Sequence, residues 1–230
     1  MGASSASPGP SATVTAALRA LGSGDWVALA AFADEGSLAS WRHEYLEGNA
    51  RIPTLDALAR EHPDAPPEAL IVLRDEHLAP ARQAFLHRLP DHIAGVRTVE
   101  ELEALAPEEL LARFWFARDP QRHVTQLYAA PGYEPPLEAS RRPTSLIYKI
   151  IEEAHLESGL VTLTWAQVDQ PTGSTQADQT TWTVRQQIDG AWHIVVDLEF
   201  LCVSTDIPPF IPQDPDLDAY MRQHPGRPRG

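Results

Sequence analysis

A phenol and a carboxylate four residues apart are the nearest approach in this sequence to an acid–base pair. Tyr148 and Glu152 lie in the segment TSLIYKIIEEAH, and on an unbroken strand positions i and i+4 share a face, which would set both groups in one cavity. A carboxylate base in an apolar pocket, with an acidic donor for an enolate oxygen, is what isomerase chemistry of this kind requires. The competing reading makes Glu152 a solvated strand end, because residues 146 to 148 and 150 to 151 are nearly all bulky and leave the inward phase open. His77, His87 and His92 fall in DEHLAPARQAFLHRLPDH. No HExxH spacing occurs there and Pro90 interrupts helical stacking between His87 and His92, so neither a metal nor another cofactor is expected. There is no GxSxG, Walker or dinucleotide glycine motif. Cys202 is the single cysteine; it follows an apolar run and reads as a buried structural thiol, which suits a reducing, cytoplasmic compartment.

The elements that would position such groups must come from 230 residues with 32 acidic side chains against 18 Lys and Arg, a net charge of -14. That balance excludes general electrostatic attraction to nucleic acid or to an anionic membrane surface. No stretch reaches the roughly 18 apolar residues of a membrane span, and the segment MGASSASPGP has no basic and apolar leader pattern. Lys149 is the only lysine, and Ala, Arg and Pro are abundant, the bias of a high-GC, bacterial genome. The length supports one domain with an insertion rather than two independent domains.

Residues 1–12 carry nothing to bury and residues 206–230 repeat proline among charges, so both are expected to be mobile or extended, flanking a single domain over 13–205. Val14, Ala17, Leu18 and Leu21 mark a helix stopped by Gly22. Asp25 caps a second that buries Trp26, Leu29, Ala30 and Ala33, and Ser37 caps a third carrying Leu38, Trp41 and Tyr45. Residues 49–97 form a helical insertion whose pieces are kept short by Pro53, Pro63, Pro66, Pro67, Pro80 and Pro90. Thr98 and Glu101 have capping-box spacing, and Pro107 opens a helix with Leu110, Leu111, Phe114 and Trp115 on its inner face. From Thr144 onward four antiparallel strands follow, the last of them AWHIVVDLEFLCV.

The final hairpin fixes a register. A two-residue turn at Asp189 and Gly190 would put Trp182 and Val184 on a face with His193 and Asp197. A three-residue loop of Ile188, Asp189 and a left-handed Gly190 pairs Gln187 with Ala191 instead. One face then holds Trp182, Val184, Trp192, Ile194, Val196, Leu198 and Phe200. The other holds Arg185, His193 and Asp197, a trio read as outward charge pairing rather than as a catalytic set. Gln186 is the polar exception on the inner face, either addressing a ligand or bonding backbone near the sheet end.

The opening TVTAALRALGSGDWVALAAFAD, followed late in the chain by long strands and a closing DGAWHIVV, resembles the nuclear transport factor 2-like superfamily, which includes SnoaL-like and ketosteroid-isomerase-like proteins. The likeness covers residues 13–46 and 107–201. It implies an α+β fold, a cone-shaped curved antiparallel sheet of about four strands packed on N-terminal helices, with the helical insertion as a departure from compact members. It also implies a pocket at the wide end of the cone and, often, a homodimer through the sheet. The residue reading supplies the lining: Trp115, Tyr148, Glu152, Trp165, Trp182, Gln186 and Trp192. The expected function is a non-catalytic module for a small apolar ligand or a protein partner, with a small-molecule isomerase, cyclase or hydrolase as the alternative.

Overall fold

Proline starts the first helix. The computed structural model describes residues 8–128, Leu137, 147–168 and 175–203. In it α1 (Pro10–Ser23) opens at a residue whose missing amide costs nothing in a first turn, and it closes at Gly24, φ 67°, rather than at Gly22. Pro10, Ser11 and Ala12 are therefore helical, which corrects the expectation for residues 1–12, and Ser11 Oγ donates to Glu153 on the sheet. The tail 206–230 lies outside the described residues.

Asp25 caps α2 (Trp26–Ala30), as its position suggests. Asp34, not Ser37, caps α3 (Glu35–Asn49): its carboxylate accepts from the Ser37 amide at 2.9 Å, and the acceptor precedes the helix rather than sitting in its first turn. The segment 49–97 is helical, with α4 (Leu55–Glu61), α5 (Pro67–Val72), a π-helical stretch Leu73–Leu78, α6 (Ala79–His87) and α7 (Leu89–His92). Pro80 does not break this run. The turn before it widens so that the Ala79 amide donates to Arg74 O, five residues back, and this slack accommodates a residue that offers no donor and crowds the preceding turn. The segment adds Leu89, Ile93, Ala94 and Val96 to the one core, so it is integral to the domain. Then follow α8 (Val99–Ala104) with its Thr98–Glu101 capping box, α9 (Pro107–Arg118) and α10 (Pro120–Tyr128).

The sheet is an open antiparallel meander, β1 (Ile147–His155), β2 (Val161–Val168), β3 (Thr175–Gln186) and β4 (Trp192–Ile194), in that spatial order. Its β3–β4 hairpin has the expected register: Val184 faces Ile194, Gln186 faces Trp192, and the Gln187 amide donates to Ala191 O at 2.8 Å, with Gly190 at φ 85°. The expected long final strand does not form. After Ile194 the chain leaves the sheet, Asp197 accepts from the Phe200 amide at 3.0 Å, and α11 (Leu198–Cys202) begins. Alternation consequently fails beyond Val196: Leu198 is 72% exposed while Phe200 is buried. The free edge of β4 is taken by the α2–α3 connection, where Ile194 N donates to Phe32 O and Asp34 N to Ile194 O, each at 2.7 Å.

The core lies between one face of this sheet and the helices. Val14, Ala17, Leu18 and Leu21 of α1 meet Leu29 and Ala30 of α2, Leu110, Leu111 and Trp115 of α9, and Leu163, Trp182, Val184 and Ile194 of the strands. α1 packs chiefly on β1, and α9 on α2 and α3.

Candidate functional site

A row of rings crosses the inner face of the sheet. Tyr148 on β1 meets Trp165 on β2 edge to face at 5.2 Å, and Trp165 meets Trp182 on β3 at 5.1 Å. Trp182 then touches Phe200 at 5.1 Å, Phe200 touches Trp115 at 5.0 Å, and Trp115 reaches Trp26 at 6.0 Å. Four expected lining residues are thus brought together, Trp115, Tyr148, Trp165 and Trp182. Phe200, expected on this face from a strand, enters it from α11 instead. Trp26, read as an ordinary core residue of its helix, ends the row.

The two ends of the row differ chemically. Trp26 Nε1 donates to the buried Asp119 carboxylate at 2.9 Å, and Trp115 Nε1 donates to Leu201 O at 3.1 Å. The indole N–H groups of Trp165 and Trp182 are equally buried, and no acceptor among the described residues takes them. A buried donor left this way costs about 1–3 kcal/mol. Tyr148 beside them is half-buried, so this is the end of the row nearer solvent.

Glu152 does not share the Tyr148 face. Ile150 pairs with Trp165 but Glu152 pairs with Thr164, so Ile151 is an extra residue and the bulge turns Glu152 outward, where it is exposed. Four residues of separation place two side chains together only on an unbulged strand. Gln186 is also exposed and donates to Gly190 O at 3.0 Å, closing the hairpin instead of lining the row. Trp192 sits half-buried opposite Gln186 at the sheet end, packed on the core but without a ring contact to the row among the described residues.

The outward trio is not mutually paired; Arg185 is exposed, and His193 and Asp197 are half-buried. Arg185 bonds Asp34 at 3.2 Å, His193 Nδ1 lies 3.3 Å from Ala33 O, and Asp197 caps α11. The face docks on the α2–α3 connection because Asp34 is buried there and gathers Arg185, Gln187 and the Ser37 amide. A cleft of about 570 Å³ beside it is lined by Ala33, Glu35, Glu108, Gln187, Ile188 and His193, and nothing in the sequence spacing announced it. Cys202 is exposed rather than buried, since the helix that replaces the expected strand turns it outward. His77 and His87 are exposed and His92 stacks on Phe85, and among the described residues no group of three His, Cys, Asp or Glu could hold a metal ion. Nor is any helix among the described residues long and apolar enough to cross a membrane. No family model, curated protein or solved structure matches this chain.

Proposed function

We propose that this chain is a nuclear transport factor 2-like protein that works as a non-catalytic binding module, holding a small apolar ligand against the Tyr148, Trp165 and Trp182 end of the aromatic row. The carrying observation is the pair of buried indole donors on adjoining rings with no acceptor in the described structure. A ligand that offers a hydrogen-bond acceptor relieves their cost, and the surrounding rings supply apolar area. Helices followed by an antiparallel meander suit the cone-like arrangement, and register shifts in β1 and between Ala166 and Val168 bend strands in the way such a sheet needs. The isomerase alternative loses its base, because the bulge separates Glu152 from Tyr148.

Melting temperature measured across a set of flat apolar compounds tests the reading, since a molecule that binds only the folded chain raises it by mass action. A saturable rise is expected for acceptor-bearing compounds, reduced in Trp165→Phe and Trp182→Phe, which keep a ring but delete the donor. Absence of any saturable rise, or an undiminished one in both variants, rejects it.

A further inference from the structure

A second cluster of rings lies on another face of α9, where the helical segment packs against α3. Arg118 stacks its guanidinium 3.6 Å above the Phe114 ring, and its Nη1 donates to His92 O at 3.1 Å and Phe114 O at 3.0 Å. Trp41 and Tyr45 of α3 both meet Phe114, and Phe85 of α6 meets Tyr45 on one side and His92 on the other. In a chain with 32 acidic residues, Arg51, Arg74, Arg88, Arg113 and Arg185 have carboxylate partners, whereas Arg118, like Arg42, Arg60 and Arg82, bonds backbone carbonyls and has no carboxylate partner among the described residues; the groups that interact with it electrostatically are Tyr45 and Cys202. The Tyr45 hydroxyl is buried and faces this guanidinium without completing a hydrogen bond of regular geometry.

We infer that Arg118 and Tyr45 form a binding point for a small carboxylate carried on a flat apolar body, a site separate from the aromatic row. A desolvated cation without a counter-charge gains from an anion, and a guanidinium presents paired donors that match a carboxylate. Burial pushes the Tyr45 hydroxyl up to about 12, against a smaller opposing effect of Arg118, so at neutral pH it is a proton donor to an acceptor placed beside it. His92 is lowered by burial and by the neighbouring Arg118 and Arg88, so it adds no positive charge at neutral pH. Arg88 is itself paired with Asp91. Among the described residues this cation has no carboxylate beside it, which favours a singly charged carboxylate over a phosphate dianion, and the half-buried faces of Trp41, Tyr45 and Phe85 favour an apolar ring behind it.

The test titrates the full chain at low ionic strength with benzoate, with its neutral analogue benzamide and with inorganic phosphate, by calorimetry and by histidine ring resonances. Saturable benzoate binding that shifts the His92 signals is expected, with benzamide and phosphate each about tenfold weaker or worse. Arg118→Met should abolish it. Because that change could also disturb packing, Arg118→Lys and Tyr45→Phe are measured in parallel, and each should weaken benzoate by about three- to tenfold in a folded protein. Equal binding of benzamide, preferential binding of phosphate, native affinity in both milder variants, or no saturable benzoate binding each overturns the inference. Trp165→Phe separates the two sites: benzoate affinity unchanged there supports a site at Arg118, whereas affinity lost in Trp165→Phe and kept in Arg118→Lys returns the ligand to the aromatic row and refutes this one.

Discussion

Tyr45 shows how one side chain can carry a pH dependence for the whole chain. Its ionisation is raised from 10.0 to about 12 chiefly by burial, with Arg118 opposing. A raised phenol stabilises the fold fully below its unfolded value, and that contribution is lost as pH climbs from about 10 through the folded value. That rise corresponds to about 3 kcal/mol. Denaturant unfolding of the native chain should therefore weaken steeply over this alkaline window, and Tyr45→Phe should flatten the decline while keeping neutral-pH stability close to native. An identical alkaline slope in the variant would place the effect elsewhere. Asp34 makes the same point about position: a capping carboxylate one residue before its helix also gathers Arg185 and Gln187 from about 150 residues away.

Elements were legible where short-range rules decide them. The Asp25 cap, the Thr98–Glu101 capping box and the Gly190 loop follow from backbone donors and left-handed geometry, both local to the sequence. Gly190→Ala should cost roughly 1 kcal/mol, because φ of 85° burdens any Cβ; unchanged urea unfolding would show that the loop relaxes instead. The misreadings share a different cause. Ile151 adds a residue that period-two counting cannot see, so the i, i+4 spacing of Tyr148 and Glu152 does not bring them to one face in the fold. DLEFLC alternates like a strand, yet the Asp197 cap and the occupied edge of β4 make it a helix. Pro80 reads as a stop, and a π-helical turn absorbs it. Of the candidate site, Trp165 and Trp182 were legible as apolar positions on one sheet face and Trp115 as the inner face of its helix, while the phase of Tyr148 was open. Gln186 was not, because its role depends on how close it lies to the hairpin turn.

At the scale of the molecule, sheet and helices are coupled by a few tertiary hydrogen bonds as well as by the core. Asp34→Ala removes a helix cap and leaves Arg185 and Gln187 without their acceptor, so a loss of about 2–4 kcal/mol is expected in denaturant unfolding, with Asp34→Asn recovering part of it through the retained cap. A loss under 0.5 kcal/mol, within the range of ordinary surface changes, would mean that the hairpin holds its place through apolar packing alone. The row of rings from Tyr148 to Trp26 has its own molecular consequence. Trp26 lies 6.0 Å from Trp115 and Trp165 lies 5.1 Å from Trp182, so light absorbed by either indole of a pair passes to its neighbour before it is emitted. Of the chain's six tryptophans, these four form two such pairs, whose emission loses its polarisation and reports the packing of α2 on α9 and of β2 on β3.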